Sequence, residues 1–209
     1  MKKINKGTEP KAWKQFRETP GVTEYVANDA LRESLLEEQG YICAYCMRRI
    51  PVRDKISNET SRIDHLKCRD NYPDLQLDYN NMVICCPGCI NGDDHCDKLK
   101  GNKEITFSPF EIHLENSISY STKDGHIKSS NVQWNKELEE VLNLNNHMLK
   151  LNRRQAIEGL RSVLEKSKWS KSVLQMQLQK WESFDKNHHL KPYCGVIIWY
   201  LRKKLHKVL

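Results

Sequence analysis

No apolar stretch in this sequence is long enough to cross a bilayer. The longest runs from Gly195 to Leu201, far short of the ~20 residues a spanning helix needs. No apolar segment follows the basic start Met1-Lys2-Lys3, so no secretory signal peptide is expected. Internal repeats and low-complexity tracts are absent too, which excludes a repeat array. With no sign of export, the eight cysteines are expected to sit unpaired in a reducing cytoplasm. Cysteines in that compartment are more often metal ligands.

What is present fits one ordinary domain, or a small core with an appendage. The chain has 209 residues, 38% apolar and 29% charged, with a mean hydropathy of −0.74. Leu, Ile, Val, Trp and Tyr are spread along it, so the composition is hydrophilic without being that of a disordered chain. The net charge of +7 is uneven. Residues 1–134 carry 19 Lys/Arg against 20 Asp/Glu, whereas residues 135–209 carry 15 against 7. A basic third beside a near-neutral remainder suggests a polyanion partner such as nucleic acid, or else a solvated helical surface.

Trp13 and Phe16 mark a short amphipathic segment that ends at Pro20-Gly21. Residues 28–39 read as a helix with Asn28 as N-cap, Leu31, Leu35 and Leu36 as its stripe, and Gly40 as its stop. Beyond Gly40 the helical periodicity fades. Two short extended runs follow, Arg62-Ile63-Asp64-His65-Leu66 and Met82-Val83-Ile84-Cys85, joined by a loop rich in Asp, Asn and Pro. Residues 117–129 suggest a hairpin with Asp124-Gly125 as its two-residue turn. Helices are expected near 136–143 running on to 146–167, then over 170–183 and 192–207.

Cys43-Ala-Tyr-Cys46 and Cys86-Pro-Gly-Cys89 are two Cys-x-x-Cys knuckles. A tight turn lets both of its sulfurs reach one ion at ~2.3 Å, and two such turns complete a closed, structural four-cysteine zinc site. Cys85 competes with Cys86, but only Cys86 has the two-residue spacing to Cys89. Between the knuckles sits Asp64-His65 at the end of an extended run, where the chain turns and both side chains can converge. Asn80-Asn81 precedes the second run. After the second knuckle, His95-Cys96-Asp97-Lys98-Leu99-Lys100-Gly101 reads as a loop entering a short helix.

In this order the residues resemble the HNH (ββα-metal) endonucleases with zinc knuckles. That family shows Cys-x-x-Cys, Asp-His, Asn, Cys-x-x-Cys, then Asn or His with a Lys three residues later. The chain supplies Cys43/Cys46, Asp64-His65, Asn81, Cys86/Cys89 and His95-x-x-Lys98. It departs from the pattern where Ile90 follows the second knuckle, so an insertion moves the last ligand to His95, with Asn91 as a rival. The N-terminal helix, the Phe107-Ser108-Pro109-Phe110 stretch and the Leu142-Asn143-Leu144-Asn145 stretch are similar to the PtuB-like HNH proteins of Septu and retron-associated anti-phage systems.

The resemblance implies an α+β fold, a ββα-metal core stapled by one zinc and flanked by helices. Its parts would be an N-terminal helical segment (1–40), the zinc-stapled nuclease core with the following hairpin (41–134) and a basic helical region (135–209). It implies phosphodiester hydrolysis, on DNA by preference or on RNA such as tRNA, and a PtuA-like ATPase partner. Asp64 and His95 would hold Mg²⁺ or Mn²⁺. His65 would act as general base, Asn81 would brace its loop, and Lys98 or Lys100 would contact a phosphate. Cys68, Cys96 and Cys194 read as packing residues, and Asp93, Asp94 and Asp97 as solvated loop acids. The rival reading is a zinc-stapled module that binds nucleic acid or a partner without cutting.

Overall fold

The computed structural model describes residues 1–51 and 61–208. Residues 52–60, part of the insertion between the knuckles, lie outside it, as do Leu209 and the side chains of Lys207 and Val208, the former in the basic terminal cluster. The architecture is mixed α+β, with two-stranded sheets set among helices. Among the described residues no helix is long and apolar enough to cross a membrane.

Helix α1 (Lys11–Arg17) buries Trp13 completely. The indole has to leave water without losing its donor, and it does so by donating to the Leu77 carbonyl at 3.3 Å. Helix α2 (Asp29–Glu38) starts at Asn28, whose side chain accepts from the Leu31 amide at 2.8 Å. Its Leu31 and Leu35 face the core. Strands β1 (Arg62–His65) and β2 (Met82–Cys85) pair antiparallel, with Asp64 opposite Val83 and His65 opposite Met82.

Every residue of β2 is buried, so its second edge also needs hydrogen-bond partners. Gln39, just past α2, supplies them from its side chain. Its Oε1 accepts from the Ile84 amide at 2.8 Å and its Nε2 donates to the Ile84 carbonyl at 2.7 Å. The Ala44 amide of the first knuckle adds a bond to the same carbonyl at 3.1 Å. This edge fixes α2, the first knuckle and the β-pair against one another.

After β2 comes a short ribbon, β3 (Cys89–Ile90) paired with β4 (Asp93–Asp94), and then helix α3 (Cys96–Lys100). The turn before the ribbon depends on Gly88. Its φ is +81°, and a Cβ there would stand 2.5 Å from Lys98 Cβ and 2.8 Å from the His95 carbonyl oxygen. The bare backbone lets the His95 amide donate to the Gly88 carbonyl at 2.8 Å, pinning the entry of α3 on the knuckle.

Helix α4 (Ile112–Ser117) leads into β5 (Ile118–Tyr120), which pairs with β6 (Ile127–Ser129). The hairpin lies inside the expected range, but its turn is longer than Asp124-Gly125. Ser121 and His126 extend the ladder through a 2.8 Å bond, leaving 122–125 as the connection. Gly125 (φ +77°) lies so close to α6 (His147–Lys166) that a Cβ would fall 2.1 Å from the Lys150 carbonyl oxygen. Its own carbonyl accepts from the buried Arg153 at 2.6 Å. Gly125→Ala is therefore expected to lower the thermal unfolding midpoint, at a cost of about 1–3 kcal/mol for overpacking and positive-φ strain, measurable by calorimetry.

The helix expected over 136–143 is α5 (Val132–Lys136) continued by one π-helical turn, Glu137–Val141. Buried Glu137 holds that turn by accepting from the Thr106 amide and hydroxyl at 2.9 Å each and from Gln133 at 2.8 Å. The break that follows reaches across to the knuckle region. The Leu142 carbonyl accepts from the Cys96 amide at 2.9 Å, and Asn143 Nδ2 donates to the Asp94 carbonyl at 2.9 Å. Helices α7 (Lys171–Glu182) and α8 (Cys194–Val208) complete the chain. The apolar run in α8 is buried among α6, α7 and β5, which explains why a helix this hydrophobic forms in a hydrophilic protein.

Candidate metal centre and active site

Four sulfurs converge where the first knuckle meets the start of α3. The thiols of Cys43, Cys46, Cys86 and Cys96 all lie within 4.8 Å of one another and all four residues are buried. Cys43 and Cys96 are 3.8 Å apart, and Cys46 and Cys86 are 3.7 Å apart. A tetrahedral ion with ~2.3 Å bonds to sulfur has S···S edges of about 3.8 Å, so the cluster has the dimensions of a zinc site. The electrostatics agree. Burial opposes ionisation of Cys43, yet hydrogen bonds from Cys46, Cys85, Cys86 and Cys96 outweigh it and hold its thiol well below the ordinary value. Burial pushes the Cys46 and Cys96 thiols well above the ordinary value, and four buried sulfurs at this spacing could hold a metal ion.

The set differs from the expected one in its fourth member, because the structure gathers Cys96 with the other three and leaves Cys89 outside. In the β3–β4 ribbon Cys89 pairs with Asp94, and its thiol bonds to the Asp94 carboxylate. The ribbon then returns the chain to the cluster, and Cys96, held by Leu142, enters in place of Cys89. Cys85 is buried beside Cys43 but is not one of the four, which leaves Cys86 as the ligand-side member of that pair.

His95 is likewise drawn to the sulfurs. It is wholly buried, with Nδ1 3.1 Å from Cys96 Sγ and 4.0 Å from Cys86 Sγ. No bond joins it to Asp64 among the described residues. Asn91 sits at positive φ in the turn of the ribbon. Asp97, on α3, is an acid whose charge raises the proton affinity of both Asp64 and His65.

The β1–α3 contact explains that placement. Arg62 and Asp64 are two residues apart on a strand and share a face. Asp97 and Lys100 are three apart on a helix and share a face too. Arg62 Nε meets Asp97 Oδ2 at 2.6 Å, and Lys100 Nζ meets Asp64 Oδ1 at 2.9 Å. Lys100 also donates to the His65 carbonyl at 3.0 Å. It is 1% exposed, so its ammonium is spent on anchoring α3 and is not offered to a phosphate. Lys98 is on the surface, with Asp94 at 3.1 Å.

Asp64 is itself buried, and Tyr45, fully buried inside the first knuckle, donates its hydroxyl to Asp64 Oδ2. Burial pushes the Asp64 carboxyl up to about 7, with the Lys100 ammonium opposing and Asp97 reinforcing the shift. His65 Nε2 lies 2.9 Å from the Gln76 carbonyl oxygen. A carbonyl can only accept, so Nε2 carries the proton and Nδ1 keeps the lone pair. Burial pushes the His65 imidazole down to about 4; the Gln76 bond opposes the shift, and Arg69 and Lys100 add to it.

Asn81 holds the loop that carries this carbonyl. Its Oδ1 accepts from the Lys67 amide at 2.8 Å, and its Nδ2 donates to the carbonyls of Lys67 at 2.9 Å and Leu75 at 3.1 Å. Asp64, His65 and Asn81 are thus assembled by one strand pair and one braced loop.

The chain matches no protein-family model. Over 153 residues it is 25% identical to the "Retron Vc95 putative HNH endonuclease" of Vibrio cholerae serotype O1 biovar El Tor, across 69% of this chain and 71% of that protein. The likeness supports the HNH family. Tyr45, Cys96 and Asp97 are the site residues that motif spacing alone passes over. Asp97-x-x-Lys100 repeats, two residues further on, the spacing of His95-x-x-Lys98.

Proposed function

We propose that the chain is a metal-dependent HNH endonuclease that hydrolyses phosphodiester bonds. The observation that carries this reading is the β1–β2–α3 unit, in which a four-cysteine cluster sits at the start of α3 and the Arg62–Asp97 and Lys100–Asp64 pairs hold α3 against the strand that carries Asp64 and His65. The likeness to a retron-associated protein supports a role in anti-phage defence, and the motif resemblance adds a PtuA-like ATPase as partner.

In this reading Cys43, Cys46, Cys86 and Cys96 hold a structural zinc. Asp64 and Asp97 supply hard oxygen ligands, with Asp97 in place of His95 or Asn91, and suit Mg²⁺ or Mn²⁺. Held by these two carboxylates, such an ion would supply polarisation of the scissile phosphate and charge neutralisation at the leaving oxygen. His65, held by Gln76 through Nε2, takes the proton of the attacking water at Nδ1. Asn81 keeps Gln76 in place, and Lys100 and Tyr45 orient Asp64. DNA is the favoured polymer and RNA the alternative, since no residue of the site reads a 2′-hydroxyl.

The test is a cleavage assay on plasmid DNA and on total tRNA, with Mg²⁺ or Mn²⁺, with and without a PtuA-like ATPase. Wild type is expected to cut one polymer. Asp97→Ala is expected to lose at least about a hundredfold in rate, a scale set by loss of a ligand to the catalytic ion. Asp97→Ala that retains its zinc and cuts at the wild-type rate would return the metal to His95 or Asn91. Wild type that cuts neither polymer under all of these conditions would favour the binding module.

A further inference from the structure

One side of His65 is walled by a segment from the N-terminal part of the chain. The Tyr25 ring meets the His65 imidazole edge-on, centroids 4.6 Å apart at 89°. Tyr25 in turn packs on Trp13 at 5.9 Å, and Trp13 on Phe16 at 5.2 Å, so an aromatic row runs from α1 to the imidazole. Gln76 ties this wall to the site twice. Its backbone carbonyl takes the His65 Nε2 bond, while its side chain accepts from the Tyr25 amide at 3.1 Å and donates to the Thr23 carbonyl at 2.9 Å.

On this wall lies a cation that no acid among the described residues neutralises. The Arg69 guanidinium stands 5.1 Å from the Tyr25 ring centroid, and the residue is exposed. Among the described residues no carboxylate pairs with it. The other arginines nearby are engaged: Arg62 holds Asp97, and Arg32 Nη1 bonds to the Ser61 hydroxyl and, at 3.1 Å, to the Ser61 carbonyl. A guanidinium resting on an aromatic face keeps its planar fork ordered and its N–H edge open. That edge matches a phosphate, which accepts two parallel hydrogen bonds.

We propose that Arg69, seated on Tyr25, binds a backbone phosphate of the substrate next to His65, and that Tyr25 and Gln76 form the platform that sets its position. The inference rests on the nuclease reading and deepens it. It assigns the cation that docks the polymer, a role for which Lys100 is too buried and which Lys98, held by Asp94, fills less well. A phosphate held there would set the register of the chain against Nδ1 of His65. Tyr25 and Gln76 act through Arg69 and His65 and are positioning residues.

The experiment uses the full chain carrying His65→Ala, which binds without cutting, and follows fluorescence anisotropy of a short labelled DNA duplex and of the matching RNA duplex over a salt series. Adding Arg69→Ala is expected to weaken binding about tenfold and to reduce the slope of log K against log salt by about one phosphate contact. Arg69→Lys is expected to restore the slope but not the full affinity, because the charge returns without the planar fork. Tyr25→Leu keeps an apolar group against Trp13, and it is expected to weaken binding several-fold at unchanged slope. Zinc content and unfolding midpoint report whether each variant is folded. A folded Arg69→Ala protein with the parent's affinity and slope overturns the inference and leaves the nuclease reading standing. A His65→Ala parent that binds neither duplex removes the nuclease reading and the inference with it.

Discussion

Cys96→Ala is expected to empty the structural site and unfold the core around it, whereas Cys89→Ala should leave both intact. The sulfurs of Cys43, Cys46, Cys86 and Cys96 have the spacing of one tetrahedral site, and Cys96 is fully buried among them. A structural zinc of this kind contributes an apparent ~10–16 kcal/mol to folding, which is comparable to the whole ~5–15 kcal/mol stability of a domain. Losing one of four thiolates removes a large part of that. Cys89 is half-buried, and among the described residues its thiol bonds to Asp94 within a short ribbon, so its removal should cost about 1 kcal/mol or less. Metal analysis and thermal unfolding of the two variants decide the matter. The expected result is about one zinc per chain in wild type and in Cys89→Ala, and loss of both metal and cooperative unfolding in Cys96→Ala. A Cys96→Ala protein that keeps its zinc while Cys89→Ala loses it would restore the paired-knuckle arrangement.

The difference between those two cysteines marks how far the sequence could be read. Asp64, His65 and Asn81 were legible because each follows from a short local pattern: an extended run that ends in a turn, and an asparagine at the start of the next run. The β1 run has Ile63 between polar residues, and the β2 run is wholly apolar, with β-branched Val83 and Ile84 at its centre. The fourth sulfur was not legible in the same way. Two-residue spacing identifies cysteines that can share a turn, but it carries no information on which face of a strand a sulfur takes. Pairing Cys89 with Asp94 across the ribbon turns its thiol to that carboxylate, and the ribbon delivers Cys96 to the cluster. In the reading proposed above, the same local insertion makes Asp97, not His95, the last ligand of the catalytic ion. Both registers place a lysine three residues later, so the motif fits either. Only the β1–α3 ion pairs, Arg62 with Asp97 and Lys100 with Asp64, separate them. Those contacts are long-range, as is the bond from Leu142 that seats Cys96. The helical C-terminal region was recognisable from its periodicity, but its role in closing the metal end of the core was not.

His65→Ala is expected to abolish cleavage while leaving zinc content and unfolding midpoint close to wild type. A general base contributes about 10²–10⁴-fold to rate, and among the described residues the His65 ring makes one hydrogen bond, to the Gln76 carbonyl. The pH profile of wild type separates its role from that of Asp64. Burial holds the His65 imidazole down at about 4, so at pH 6–8 it is already neutral and able to accept a proton. Burial holds the Asp64 carboxyl up at about 7, so in the metal-free protein it gains a proton as pH falls through 7. A protonated carboxyl is a poor ligand, and binding of the ion must expel that proton. At low Mg²⁺ the rate should therefore fall with acid below about pH 7. Raising Mg²⁺ should pull the midpoint of that limb downward, toward the value for His65, because the ion competes with the proton for the same oxygens. Cleavage rates measured across pH at several Mg²⁺ concentrations test this directly. A limb that stays near the ordinary imidazole value of ~6.5 at every Mg²⁺ concentration would mean that His65 titrates as an exposed histidine and that Asp64 is not the ligand. A limb that moves with Mg²⁺ in wild type and vanishes with all activity in His65→Ala would tie the two residues to their separate roles, the carboxylate to the ion and the imidazole to the water.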